Sequence, residues 1–181
     1  QDLVAEQYRH LSRDLLPALA REGIEVLRRT GWTAKQRRWI VRYFESEVLP
    51  VLTPMGIDPA HPFPRVLNKS LNFVVGVRGS DAFGRSSGVA IVQVPRSLPR
   101  VIALPEKLAE GKDDYVLLSS IIHDHVHEVF PGMEVMQHHT FRVTRNSDLE
   151  VEEDDAENLL TAMEKELVRR RFGPPVRLEI E

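Results

Sequence analysis

Three histidines at alternate positions form the most obvious candidate for a metal site in this sequence. They are His123, His125 and His127, and acidic residues follow two of them at positions 124 and 128. On a helix, His123 and His127 lie on one face, as in H-x-x-x-H zinc sites, while His125 points away from that face. A third ligand is not visible nearby, although His138 and His139 can approach through folding. We therefore favour a solvated polar helix face and predict no metal ligand in this chain.

A second candidate is a hydrolytic triad of Asp58, His61 and Ser70. The residue types fit nucleophilic catalysis, but no nucleophile elbow or oxyanion-stabilising device surrounds Ser70. We interpret Asn68, Lys69 and Ser70 instead as a cap that ends an extended segment and begins a strand.

A third candidate is a phosphate-binding loop. Residues 79–86 read GSDAFGRS, which is one substitution from the G-x-x-x-x-G-K-[ST] motif, with Arg85 in the place of lysine. The mechanism of that motif needs a helix directly after the loop, whose N-terminal amides bind the phosphate. A strand-like run follows at 89–94, so the sequence predicts a hairpin loop without nucleotide binding.

Clusters of basic residues are the fourth candidate, because Arg and Lys side chains bind phosphate groups through charge-assisted hydrogen bonds. Four of these residues, Arg65, Lys69, Arg142 and Arg145, are the candidates for a polyanion path. Alternation along 141–145 places Arg145 on one strand face and Arg142 on the other. The competing interpretation for any one cluster is a solvated surface. Further clusters occur at Arg28 and Arg29, at Lys35, Arg37 and Arg38, and at 169–171.

Composition limits the possible functions of the chain. Its 181 residues allow one domain with a proper core and a small appendage. The net charge of −3 gives no general attraction to polyanions, and aromatic residues, at 7%, are not interleaved with basic ones as nucleic-acid binding requires. The absence of cysteine excludes disulfides and thiolate chemistry. No apolar run approaches the ~20 residues of a membrane span, and no signal peptide is visible, so we expect a cytoplasmic protein.

The opening third of the chain is predicted to be helical. Apolar residues recur at helical spacing from Val4 to Leu19, and Gly23 is a plausible helix stop. Thr33 and Gln36 form a capping-box pattern, and residues 40, 44 and 48 are the apolar stripe of the helix that follows. The proline-rich stretch 48–64 is predicted to be a rigid, apolar strap laid across a core.

Downstream of the strap, the periodicity changes to that of strands. Strands are predicted at 73–77, 89–94, 101–104, 115–118 and 135–145, and a half-buried strand at 176–180. Helices are predicted from Ser119 or Ser120 to about Phe130 and from Asp154 to about Arg171. Strands interleaved with few helices indicate an α+β fold, in which helices pack on one face of a mixed or mainly antiparallel sheet.

Long strings of the sequence resemble the bacterial ATP-dependent polyphosphate kinases. The first, YFESEVLPVLTPMGIDPAHPFPRVLNKSLN at 43–72, resembles the entry to their middle, or head, domain. FRVTRNSDLEV at 141–151 and RRRFGPPVRLEIE at 169–181 agree with it. The resemblance implies that residues 1–50 are the last helices of an N-terminal domain and that 51–181 are the head domain. The chain also begins inside a predicted helix, so we expect an excised piece of a longer polypeptide.

The resemblance implies an enzyme that transfers the terminal phosphate of ATP reversibly to polyphosphate through a phosphorylated histidine, with Mg²⁺. In such enzymes the phosphorylated histidine and most contacts to ATP lie in two domains that follow the head, so no catalytic or cofactor-binding residue is assigned here. The head contributes to homodimer packing, in dimers or tetramers, and lies beside a tunnel for polyphosphate and ATP. The isolated segment is therefore expected to be structural and inactive.

Two functions of other classes remain open at this point. One is a free-standing interaction or dimerisation module, which forms a stable dimer and does not bind polyanions. The other is a metal-dependent enzyme built on His123 and His127, which requires stoichiometric metal.

Overall fold

The computed structural model describes residues 2–57, 63–79, 88–109, 113–146 and 173–181. Contacts between residues divide the chain into a first unit, Gln1–Pro50 with Ser97–His125, and a second unit, Val51–Arg96 with Val126–Glu181. The grouping places 97–125 with the opening residues, whereas the sequence assigns that stretch to 51–181. Grouping by contacts is not a test of evolutionary domains, so the predicted division at residue 50 stays a prediction.

The first unit begins with consecutive helical segments. Helix α1 (Asp2–His10) continues through a π-helical turn (Leu11–Leu15) into α2 (Leu16–Arg21), which has Pro17 in its first turn. Proline is tolerated there because the first amides of a helix have no partner within it. Gly23 follows with φ +80°, the left-handed conformation that commonly ends helices. The apolar face predicted for this stretch is present but exposed at positions 8, 11, 15 and 19.

Helix α3 (Ala34–Tyr43) begins at the predicted capping box. The Gln36 amide donates to the Thr33 hydroxyl at 3.3 Å, and the Thr33 amide donates to the Gln36 side chain at 2.8 Å. A π-helical turn (Phe44–Val48) extends the helix, and Ile40, Phe44 and Val48 are fully buried, as their spacing predicts. The Gln36 side chain also donates to the Leu108 carbonyl at 3.1 Å and so ties the start of α3 to a distant loop.

A small mixed sheet completes the first unit. Its strand order is β1 (Ile24–Leu27), β6 (Asp113–Leu117), β5 (Val101–Ala103), with β1 parallel to β6 and β5 antiparallel to it. Helix α4 (Leu118–His125) begins directly after β6, and a 3₁₀ segment (Val126–Val129), which belongs to the second unit, follows it along the chain. The predicted strands and the predicted helix that cover these residues are confirmed.

The second unit contains a five-stranded antiparallel sheet in the order β2-β4-β3-β7-β8. Its strands are β2 (Thr53–Ile57), β3 (Asn72–Arg78), β4 (Val89–Gln93), β7 (Glu134–Arg145) and β8 (Pro175–Ile180). Pairing of β3 with β4 confirms the predicted antiparallel hairpin. Together with the helices, the two sheets confirm the α+β class.

Both faces of β3 and β4 are buried, and on one of them a hydrophobic core extends to β7. Val66, Ile91 and Phe141 are buried together, and half-buried apolar side chains at positions 57, 74 and 143 pack against them. The register explains this grouping, because Val74 is opposite Ile91 and side chains opposite each other point to the same face. At this end of β7 the odd-numbered residues Phe141 and Val143 therefore face this core.

The proline-rich stretch differs in part from the predicted strap. Residues 53–57 form β2 and pair with β4, so this part of the stretch is an outer strand of the sheet rather than a strap laid across it. Pro54 is compatible with pairing there because an outer strand needs hydrogen bonds along one edge alone. Val66, just after the stretch, is fully buried.

Strand β8 is present where the sequence predicts it, but its apolar side chains are not half-buried. Val176, Leu178 and Ile180 are 60–64% exposed. Alternation gives the correct strand and the correct faces, whereas burial depends on what covers the face.

The predicted helix from Asp154 lies outside the described residues. Among the residues that are described, no helix is long and apolar enough to cross a membrane.

Replacing the capping threonine tests whether the start of α3 contributes to stability. Thr33→Ala removes the acceptor of the Gln36 amide, and we expect the free energy of unfolding to fall by about 1 kcal/mol, the usual cost of losing such a cap. Urea unfolding measures the change. Thr30→Ala, at an exposed position just before the helix, is the matched control, and an equal loss in both variants would argue against the cap.

Candidate functional site

The Glu179 carboxylate is held between two arginines on neighbouring strands. Glu179 is opposite Arg142 in the β7–β8 register. The Nε of Arg142 donates to one carboxylate oxygen at 2.6 Å, and a terminal nitrogen of Arg177 donates to the other at 2.8 Å. These side chains stand on the sheet face opposite Phe141 and Val143, because their positions alternate with those two residues.

Lys69 joins this group from a tight turn. Its φ of +57° is unusual for a lysine, and the turn is closed by the Ser70 hydroxyl, which donates to the Leu67 carbonyl at 2.8 Å. The Lys69 amide donates to the Val143 carbonyl at 2.8 Å and so fixes the turn beside β7. This local geometry agrees with the interpretation of 68–70 as a cap before a strand.

The charges in this group shift the titration of Glu179. The hydrogen bond from Arg142, with the positive charges of Arg142, Arg177 and Lys69, lowers the pKa of Glu179 below its ordinary value of 4.5, although partial burial opposes the shift. Three cations thus lie around one carboxylate. We call Lys69, Arg142 and Arg177 the basic surface.

Arg145 has a different environment from Arg142, although both were predicted as candidates for a polyanion path. Its side chain donates to the carbonyls of Val66 at 3.0 Å and Gly173 at 2.8 Å, and its amide donates to the Asn68 side chain at 2.9 Å. These bonds tie three chain segments together at the end of β7. Arg145 is half-buried and connects these segments, an arrangement that we call the Arg145 clamp. It lies on the face opposite Arg142, as alternation predicts.

Arg65 is exposed, and its carbonyl accepts a hydrogen bond of 3.3 Å from the Gln93 side chain. Arg177, in contrast, was not among the predicted candidates. The sequence showed that Arg177 alternates with apolar neighbours. It did not show that β8 pairs with β7, in the register that brings Arg177 and Arg142 to one carboxylate. Identifying Arg177 would have required knowing the pairing partner of β8.

Two other basic residues that the sequence singled out have contacts within the first unit. Arg37 lies 3.6 Å from the Asp124 carboxylate, donates to the Arg29 carbonyl at 2.9 Å and stacks over Trp32 at 5.7 Å from the ring centroid. Arg29 contacts the ring of His123 at 2.6 Å. These contacts are structural and lie within the first unit. Residues 169–171 lie outside the described part of the chain.

The histidine tract places His125 apart from its neighbours. His125 is buried and stacks on Phe44 with ring centroids 5.0 Å apart, so it points away from the face of His123 and His127, as the spacing predicts. His123 contacts Arg29, whereas His127 follows the end of α4, lies in the 3₁₀ segment and is 3.9 Å from Glu128. In the part of the chain that the structure describes, no group of three His, Cys, Asp or Glu residues is placed to hold a metal ion.

The other two candidates, the proposed triad and the glycine-containing loop, lie largely outside the described residues. Asp58 and His61 of the triad and positions 80–87 of the loop are not described. Ser70 is described, and its hydroxyl donates to a main-chain carbonyl within its own turn.

Comparison with known families decides the relationship of the chain. A family model described as the polyphosphate kinase middle domain matches residues 35–181. The chain belongs to the polyphosphate kinase family. The resemblance found in the sequence is thereby confirmed, and the matched part includes the whole basic surface.

Individual members of the polyphosphate kinase family agree with this assignment. A polyphosphate kinase of Neisseria meningitidis serogroup C is 55% identical over 180 residues, which are 99% of this chain and 26% of that protein. One from Pseudomonas aeruginosa is 51% identical over 177 residues, or 98% of this chain and 26% of that protein. The crystal structure of polyphosphate kinase from Porphyromonas gingivalis is similar in fold, with a TM-score of 0.66, 24% identity and coverage of 91% of this chain and 27% of that one. The chain thus spans about a quarter of the length of these relatives.

The carboxylate at the centre of the basic surface is expected to make stability dependent on pH. Because the pKa of Glu179 is lower in the folded state, its ionised form stabilises that state above pH 4.5, and this contribution is lost as the pH falls through the lowered pKa. Glu179→Gln is therefore expected to be less stable than the original chain at about pH 7, with a smaller difference at about pH 3. Urea unfolding at both pH values measures this.

Glu134→Gln is the matched control for that experiment. Glu134 is an exposed carboxylate on β7, and its ion pair with Arg78 is long, at 4.0 Å. The control is expected to change stability little at either pH. A Glu179→Gln deficit that stays constant between the two pH values would contradict the argument.

Proposed function

We propose that this chain is the middle-domain part of a polyphosphate kinase and that it serves there as a scaffold. The match of the middle-domain model to residues 35–181 carries the proposal. In it, the complete enzyme transfers the terminal phosphate of ATP to polyphosphate through a phosphorylated histidine, and that histidine and the ATP site belong to parts of the polypeptide outside these residues. The enzyme is cytoplasmic and a homodimer or tetramer in this proposal.

The described residues do not fit the Mg²⁺ that the family resemblance implies. No three acidic or imidazole groups among them lie close enough together to hold a metal ion. The proposal therefore places the metal with the other domains and assigns no step through it to this chain.

The scaffold is proposed to contribute a contact surface for polyphosphate. Polyphosphate carries regularly spaced anionic groups, and guanidinium groups form charge-assisted hydrogen bonds with such oxygens. Arg142 and Arg177 are about half exposed and stand on adjacent strands, with Lys69 beside them. Their shared partner, Glu179, holds the two guanidinium groups in place. Of the candidates from the sequence, Arg65 is exposed and is proposed to extend such a path, whereas Arg145 is proposed to position the turn that carries Lys69.

The first test of the scaffold assignment is an activity measurement. The purified 181-residue chain is expected to transfer no phosphate between ATP and polyphosphate, because the proposal places the reacting groups elsewhere. Coupled detection of ATP formed from ADP and polyphosphate measures this, with a full-length polyphosphate kinase as the positive control. Turnover above background would show that the chain has a catalytic centre of its own.

The second test is binding of fluorescently labelled long-chain polyphosphate, followed by anisotropy. Arg142→Ala combined with Arg177→Ala is expected to weaken binding roughly tenfold, since a hydrogen bond to a charged group contributes about 1.5–3 kcal/mol and solvent reduces this at exposed sites. Lys69→Ala is expected to have a smaller effect. Binding should weaken steeply with added salt, because counterions compete for exposed charges.

Arg78→Ala is the control for the loss of one exposed positive charge. Arg78 is on the same sheet but at the far end of β3, and its side chain is 71% exposed. It is expected to leave polyphosphate binding nearly unchanged. Equal weakening by Arg78→Ala would mean that net charge alone accounts for binding, and unaltered binding in the double variant would remove the proposed surface.

A further inference from the structure

Strand β8 forms the outer edge of the five-stranded sheet among the residues that the structure describes. Val176, Leu178 and Ile180 on one of its faces are each at least 60% exposed. Arg177 and Glu179 alternate with them on the other face. An outer strand that exposes apolar side chains is a ready template for pairing with another strand, and proteins usually protect such edges with charges or prolines.

The main-chain groups at this edge can be assigned from the pairing with β7. The Glu181 amide donates to the Thr140 carbonyl at 3.1 Å, so position 181 directs its main-chain groups toward β7. In an antiparallel pair this direction alternates along the strand. Position 179 therefore also points toward β7, while Leu178 and Ile180 direct their N–H and C=O groups outward. The register irregularity lies at Thr144/Arg145, opposite the start of β8, and the pairing from Arg177 to Ile180 is regular.

The order of residues around Leu178 is complementary to itself. If a second copy pairs antiparallel with Leu178 opposite Leu178, Arg177 of each strand is opposite Glu179 of the other. Shifting the second strand by two residues places either Arg177 opposite Arg177 or Glu179 opposite Glu179, and like charges directly opposite each other are destabilising. Charge therefore favours this register over the two registers that are shifted by two residues.

The same register also joins the apolar faces. Val176 of one copy is opposite Ile180 of the other, and the two Leu178 side chains meet at the centre. All six side chains lie on one face of the combined sheet, where each covers apolar surface that is exposed in the single chain. One register thus satisfies the main-chain edge, the charges and the apolar side chains together.

We propose that β8 is a self-pairing edge, through which two copies of this chain join their sheets about a two-fold axis at Leu178. Such an interface is isologous, with the same surface used by both copies. The inference deepens the homodimer part of the proposed function by naming the surface, and it rests on the geometry of β8 alone. Its experiment has no activity or polyphosphate readout, so its failure and the failure of the proposed function are distinguishable.

Cysteine cross-linking tests the register directly, because the chain contains no cysteine. In the proposed register the two Leu178 Cα atoms are a hydrogen-bonded pair about 5.5 Å apart, within the usual disulfide range of about 4.4–6.8 Å. Leu178→Cys is therefore expected to give a covalent dimer under mild oxidation, seen by non-reducing electrophoresis. Ile180→Cys alone is expected to give none, because its equivalent lies four residues further along the partner strand, roughly 13 Å away.

Leu178→Lys tests the same surface without a covalent bond. Position 178 is 60% exposed in the single chain, so the substitution is expected to keep the fold, which circular dichroism and urea unfolding check. It places two ammonium groups opposite each other and is expected to raise the dimer dissociation constant in sedimentation at least tenfold. Val101→Lys, at an exposed position on the small sheet of the first unit, is the control.

Three results would overturn the inference. One is a chain that stays monomeric in sedimentation, and another is a dimer in which Leu178→Cys forms no disulfide. The third is equal cross-linking of Ile180→Cys alone, which indicates another register or a different occupant of the edge.

Discussion

Alternation of side chains along β7 is the constraint on which the second unit depends. Phe141 and Val143 must face the core with Val66, and the same period-two geometry then directs Arg142 to the opposite face. A shift of one residue in the pairing would bury Arg142 and expose Phe141. Burial of Phe141 and Val143 therefore fixes the position of the basic surface, although none of the basic residues contributes to their core. The clamp made by Arg145 adds to this register by tying the end of β7 to the carbonyls of Val66 and Gly173.

The features predicted best from the sequence are those set by neighbouring residues. Three such features occur as predicted: the capping box of Thr33 and Gln36, the helix stop at Gly23 and the buried stripe that begins in α3. Each depends on residues that are close together in the sequence. The α+β class followed from the order of periodicities. The division of the strands into two sheets did not, because β1 pairs in parallel with β6, far along the chain, and no local signal marks such a partner.

The errors and omissions have the same cause, namely contacts between distant positions. The spacing directs His125 away from the face of His123 and His127, but nothing local shows that Phe44 lies against its ring in the folded chain. Part of the proline-rich stretch was assigned to a strap because five prolines disfavour regular structure, yet an outer strand has one edge where a missing amide is tolerated. Arg177 was not identified as a neighbour of Arg142 because the sequence does not show the β7–β8 register. In each case the residue type was interpreted correctly and its neighbour was unknown.

The proposed pairing of β8 has a geometric consequence for the basic surface. A two-fold axis that relates the outward groups of Leu178 is perpendicular to the sheet, so both copies present the same face on the same side. Arg142 and Arg177 of the two copies then stand on one continuous surface, with the paired β8 strands at its centre. In the proposed dimer, a polyphosphate chain long enough to contact both copies gains a second binding event at high effective concentration, without any new kind of contact. The proposed scaffold would in this way favour long polyanions over short ones, because only long ones reach across the two-fold axis.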